Sequence, residues 1–239
     1  NFFSQYCGSQ FIKSILEIDA NVLRQYLLFL ETRGFSQGGK HAHYRAIRAF
    51  FFWFELEMEP NNWKNPIKKI KAPKVPNEIL DPVSIQSINA LIQTCTKNNL
   101  LDLRDKAILL VLYDTGLRAS ELLALDRASI NQEGSIFVHH GKGKKDRLVF
   151  LGKKSKLAVR NYLRIRSDNH SALFLSRDSD RLSYDGLRSV LGKRAKLAKI
   201  PCPSIHSFRR AFALEMLRSG TNVHTLAFLM GHSNISVLA

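Results

Sequence analysis

Residues 205–220, IHSFRRAFALEMLRSG, set Ile205, Phe208, Phe212 and Met216 at spacings of three and four. That period predicts a helix with one apolar stripe, and such a stripe must pack against a core. His206 and Arg209 stand one turn apart at i and i+3, with Arg209 bordering the stripe. An arginine in this setting ordinarily lays its methylenes on the apolar wall and sends its head to water. A histidine there is ordinarily a cap or a core residue. The pair gains meaning only from the rest of the chain.

The 239 residues carry 36 Lys plus Arg against 20 Asp plus Glu, a formal charge of +16 with pI near 10.0. The basic residues are spread along the chain, the electrostatic footprint expected of a nucleic-acid binder, because each phosphate neutralised releases condensed counterions. No run approaches the roughly 18 apolar residues that a spanning helix needs, and no signal peptide opens the chain. A soluble, intracellular (cytoplasmic) protein with no membrane partner is therefore expected. Cys7, Cys95 and Cys202 are odd in number and far apart, which argues against a disulfide framework and against a zinc site.

Residues 1–59 hold three apolar helical segments. In DANVLRQYLLFLETRG, residues 19–34, Asp19 is a natural N-cap and Gly34 a natural stop, with Val22, Leu23, Tyr26, Leu27 and Leu30 on one face. In the next segment, residues 40–59, Ile47, Phe50, Phe51, Phe54 and Met58 repeat the period before Pro60. Its residues His41, His43, Arg45 and Arg48 form a candidate groove-facing set, with a simple solvated face as the alternative. The stretch NPIKKIKAPKVPNEILDP, from residue 65, is dense in proline and lysine and predicts a basic linker at about residues 66–80. Its Lys68, Lys69, Lys71 and Lys74 are ordinarily just solvated, and can also track a phosphate backbone.

A second domain, 81–239, opens with Asp81 as a cap and Pro82 at the first helical position. The segment 103–116 is apolar nearly all round from Ala107 to Tyr113, marking a buried central helix stopped by Gly116. Strand-like runs at 136–139 and 148–151 flank a Gly- and Lys-rich connection and predict a β-hairpin. Helical patterns follow at 154–165, 185–199, 204–219 and 222–230. The expected fold is mainly α: an N-terminal helical bundle at 1–65 and a mostly helical second domain with a small antiparallel β-sheet.

Taken singly, the candidate chemical residues read as ordinary. Arg118 with Glu121 at i+3 is a common helical ion pair. His232, after a helix with Val223, Leu226, Ala227 and Met230 inward, reads as a C-terminal cap favoured by the helix dipole. Lys142, Lys144 and Lys145 solubilise a hairpin tip. Together they suggest more. Two core-bordering arginines can grip the non-bridging oxygens of one phosphodiester through planar forks of donors. Two histidines and a hairpin lysine can then supply the proton donors and acceptors of a phosphoryl transfer. No carboxylate cluster suited to magnesium accompanies them, so neither a metal nor another cofactor is expected.

At TGLRASEL, GKGKKDRLV, HSFR and LMGHSNIS the sequence resembles the tyrosine recombinase (phage integrase, Xer-like) family, in order and over nearly the whole chain. The resemblance implies that the N-terminal bundle is a SAM-like core-binding domain and that the two domains form a C-shaped clamp on duplex DNA. It implies that Arg118 and Arg209 clamp the scissile phosphate and that Lys142 protonates the departing 5′ oxygen. His206 would act as general acid or base, His232 would bond a phosphate oxygen, and Glu121 would orient a neighbour. Lys144, Lys145, Arg147 and Arg210 are further candidate DNA contacts; Arg210 stands where the family often has histidine.

The implied activity is metal- and ATP-independent site-specific recombination on double-stranded DNA, with self-association from dimer to tetramer on the site. The family's tyrosine nucleophile follows the late histidine after a short spacer, and the sequence reaches Ala239 before any tyrosine in that context. The nucleophile is thus expected just beyond Ala239, and residues 1–239 alone are expected not to cleave. The alternative is a DNA-binding relative without catalysis that serves as an accessory factor.

Overall fold

The computed structural model describes residues 2–76, 80–138 and 146–231, and the chain divides into two units, Asn1–Ile79 and Leu80–Ala239. Lys142, Lys144, Lys145 and His232 lie outside the described residues.

In the first unit α1 (Phe2–Ser9), α2 (Ala20–Thr32) and α3 (Gln37–Met58) surround one apolar core. The Asp19 carboxylate accepts the amides of Asn21 and Val22 at 2.8 Å, which starts α2 where its stripe begins. Leu23, Tyr26 and Leu30 are buried from α2, and Tyr44, Ile47 and Phe51 from α3. The expected stripe on α3 is therefore only half right. Ile47 and Phe51 point inward, whereas Phe50 and Met58 are exposed, because the inner face begins a turn earlier, at Tyr44. The histidines of α3 are also spent internally. His43 bonds the Tyr26 hydroxyl at 2.8 Å and His41 the Pro73 carbonyl at 2.9 Å. Arg45 and Arg48 do stay exposed, Arg48 over the Phe52 ring.

The expected linker begins later than its composition suggests. Asn65 caps a 3-10 helix at Pro66–Lys69, and Ile67 and Ile70 are buried in the first unit's core. The two isoleucines, with the buried Pro66, anchor this stretch although the lysines around them do not. Lys68, Lys69, Lys71 and Lys74 all remain exposed, and Lys68 pairs with Glu55 at 2.6 Å.

The second unit is built on α5 (Leu100–Thr115), whose residues Ala107–Leu112 are all buried. Packed against it are α4 (Ile85–Gln93), α7 (Lys153–Arg164) and α9 (Ile205–Arg218). Ser84, not Asp81, caps α4, so residues 81–83 precede the helix. The remaining helices are α6 (Ala119–Ala124), α8 (Tyr184–Ala198) and α10 (Val223–Met230). Strands β1 (Ser135–Val138) and β2 (Arg147–Phe150) pair antiparallel, with Val138 opposite Arg147 and Ile136 opposite Val149.

A buried charge cluster ties the N-terminal half of α5 to α8. Asp105 receives Arg104 at 2.7 Å on one oxygen and Arg194 at 2.7 Å on the other, while Asp102 takes Arg194 at 2.8 Å. Among the described residues no helix is long and apolar enough to cross a membrane.

Candidate functional site

The site begins where α5 stops. Gly116 takes a left-handed backbone conformation, φ +59°, and a Cβ there would meet the Phe212 ring at 2.5 Å. Only glycine combines that φ with so close an approach of α9. The turn exposes the Gly116 carbonyl to α9 and sends the chain into Arg118, the extended N-cap residue of α6. Glu121, three residues on, accepts the Arg118 amide at 2.8 Å on one oxygen and its guanidinium at 2.9 Å on the other. The side chain of Arg118 is 31% exposed and that of Glu121 only 7%. The carboxylate thus anchors from below a guanidinium that still reaches solvent.

Arg209 comes to the same place from α9. It is buried, and it donates to the Gly116 carbonyl at 2.7 Å and to the Met230 carbonyl. Arg118 donates to the next carbonyl, that of Gly231, at 3.0 Å. These acceptors exist because α10 ends here: the last carbonyls of a helix lack intrahelical partners, and Gly231, at φ +63°, turns the chain away from them.

A third arginine completes the set. Arg147, at the start of β2, donates through both Nη atoms to the two Glu121 oxygens, at 3.0 and 2.8 Å, and through Nε to the Leu229 carbonyl at 2.7 Å. Three consecutive carbonyls at the end of α10 are therefore each held by a different arginine.

The electrostatics follow from this crowding. Burial would raise the Glu121 carboxyl, but the bonds from Arg147 foremost, then from Arg118, hold it down to about 2. Burial pushes the Arg209 guanidinium down to about 10, helped by the neighbouring charges of Arg118 and Arg147 and opposed by Glu121. Arg209 stays charged across the neutral range, in surroundings that an added anion would relieve.

The structure thus brings Arg118, Glu121 and Arg209 together. His206 is exposed in the first turn of α9, which Ser204 caps. Arg147 needs correction: its side chain is 1% exposed and is consumed by internal bonds, so it is not a surface contact for DNA. Arg210 donates to the Asp81 carbonyl at 3.0 and 3.2 Å, so any phosphate contact would have to share it. Strand alternation was the signal for Arg147, which shares its face with the buried Val149. Among the described residues no group of His, Cys, Asp and Glu is placed to hold a metal.

Comparison with known proteins places the chain in a family. The phage integrase family model matches residues 82–239. Tyrosine recombinase XerC of Pelobacter propionicus is 34% identical over 225 residues, covering 92% of this chain and 73% of the relative. The crystal structure of XerA recombinase superposes with a TM-score of 0.61 at 25% identity, covering 99% of this chain and 82% of that one. XerH recombinase bound to palindromic difH substrate reaches a TM-score of 0.76 at 18% identity, covering 99% and 71%, a likeness of fold. With well over half its length matched by the family model, this chain belongs to the phage integrase family of Xer-like tyrosine recombinases.

Proposed function

We propose that this protein is a site-specific recombinase that cuts and rejoins double-stranded DNA through a 3′-phosphotyrosyl intermediate. The observation that carries the reading is the convergence of Arg118 and Arg209 on neighbouring carbonyls, with Glu121 behind them. Two guanidiniums so placed can grip the two non-bridging oxygens of one phosphodiester. In cleavage, a tyrosine oxygen bonds to phosphorus as the bond to the 5′ oxygen breaks. The tyrosine proton leaves to a base and the 5′ oxygen gains one from an acid. Rejoining is the reverse, with a partner strand's 5′ hydroxyl attacking. One phosphoester replaces another, so the step stores its own energy and needs no nucleotide. Charge builds on the non-bridging oxygens in the transition state, where fixed cations lower the barrier most.

In this reading His206, exposed at the first turn of α9, serves the nucleophile as acid or base, Lys142 protonates the leaving 5′ oxygen, and His232 bonds a phosphate oxygen. The exposed Arg45, Arg48, Lys69, Lys71 and Lys74 of the first unit supply non-specific phosphate contacts, and Lys144 and Lys145 add to them. Residues 1–65 act as the core-binding domain and 81–239 as the catalytic domain, joined by the basic segment, on a site that assembles dimers and then tetramers in the cytoplasm.

The test is a nicked suicide duplex carrying the cognate site, found by in vitro selection and mixed with protein expressed from its complete reading frame. A protein–DNA adduct that survives denaturation is expected. DNA binding without an adduct would replace this reading with that of an accessory DNA-binding protein.

A further inference from the structure

Arg147 is difficult to explain as a surface charge. It opens β2 opposite Val138 and faces the core with Val149, its side chain 1% exposed. Removing a guanidinium from water costs several kcal/mol unless dedicated partners offset it. Its partners are specific: both Glu121 oxygens in a two-pronged fork and the Leu229 carbonyl.

Those partners lead straight to Arg118. The fork fixes the plane of the Glu121 carboxylate, and the same two oxygens hold the amide and the guanidinium of Arg118. Leu229 lies two residues before Gly231, whose carbonyl is the other acceptor for Arg118. A closed circuit results: Arg147 to Glu121, Glu121 to Arg118, Arg118 to the end of α10, and the end of α10 back to Arg147. A guanidinium held at two corners of such a circuit has little rotational freedom left to lose when it takes a phosphate. The circuit also joins two chain segments of the proposed chemistry, since in sequence Arg147 closely follows Lys142 and Leu229 closely precedes His232.

We propose that Arg147 is a positioning residue of the strand-transfer reaction: through Glu121 and the α10 terminus it holds the Arg118 guanidinium in its phosphate-binding orientation. This rests on the recombinase reading given above. Lysine at this position keeps the charge but cannot span both carboxylate oxygens and the carbonyl at once.

The experiment measures rotation of the Arg118 guanidinium about its Nε–Cζ bond by nitrogen exchange spectroscopy on arginine-labelled protein, with Arg194 in the remote cluster as internal control. In Arg147→Lys, rotation of Arg118 is expected to quicken about tenfold, the loss of roughly one net hydrogen bond, with Arg194 unchanged. Protein from the complete reading frame carrying the same change should keep its KM for the selected duplex and lose about 100-fold in kcat for cleavage, the scale expected of a misplaced group. Glu121→Gln breaks the same circuit at its other side and should speed Arg118 likewise, which serves if the lysine variant does not fold. Unchanged Arg118 rotation in either folded variant, or a loss confined to KM, overturns the proposal. A wild type that forms no adduct while Arg118 responds as described refutes the recombinase reading instead and leaves the circuit standing.

Discussion

Arg118 and Arg209 donate to the carbonyls of adjacent residues, Gly231 and Met230. Two side chains far apart in the second unit's sequence are thereby brought to one spot by backbone acceptors. A phosphodiester arriving there would present two non-bridging oxygens that share a full negative charge. Charge-assisted bonds of that kind are about twice as strong as bonds to a neutral carbonyl. On the proposed reading, the end of α10 is a placeholder for a phosphate.

Loss of either arginine should damage chemistry far more than binding. Arg118→Ala and Arg209→Ala are each expected to lower cleavage by about 100-fold or more, the scale for removing one preorganised donor. Affinity for duplex should change little, because the many exposed lysines and arginines carry it. Single-turnover cleavage measured beside filter binding checks this, and a proportionate fall in both would refute the assigned roles.

The two arginines should differ in stability. Arg209 is buried and its removal strands the Gly116 and Met230 carbonyls, each costing about 1–3 kcal/mol. Arg118 is partly solvated, so its loss should cost less. Urea unfolding of the two alanine variants should place the midpoint of Arg209→Ala below that of Arg118→Ala, and the reverse order would contradict the burial argument.

Gly116→Ala should be disruptive at a position that makes no side-chain contact at all. The left-handed conformation costs a non-glycine residue about 1–2 kcal/mol, and the new Cβ would press on the Phe212 ring besides. Thermal melting should show a loss beyond that conformational cost, whereas a loss no larger than that cost would mean that α9 can retreat.

Asp105 accepts two buried arginines, so Asp105→Ala strips Arg104 of its carboxylate, leaves Arg194 only Asp102, and should destabilise by about 3–5 kcal/mol. Denaturant titration at neutral pH reads this directly. A loss below 1 kcal/mol would show that water replaces the carboxylate.

Much of the fold could be read from spacing and punctuation. Asp19, Gly34 and Gly116 announced their helix ends, since a cap or a left-handed turn needs a particular residue there. Arg118, Glu121, His206 and Arg209 stood out for their charge beside apolar runs. The apolar face of α3 is ambiguous in sequence because the unbroken aromatic run Phe50–Phe54 offers more than one stripe, and burial of Phe51 against Trp63 is what selects among them. Ile67 and Ile70 were hidden by the prolines around them. Arg147 was legible in principle from strand alternation, but its hairpin setting suggested DNA. The carbonyls of Leu229, Met230 and Gly231 were not legible, because a backbone acceptor leaves no mark in the sequence.

The measurement that bears most directly on the account is a structure of the protein on its selected duplex. The account predicts Nη atoms of Arg118 and Arg209 about 2.7–3.0 Å from non-bridging oxygens of one and the same phosphate. Guanidiniums engaged on different phosphates, or still wholly bonded to the end of α10 with the scissile phosphate elsewhere, would contradict it.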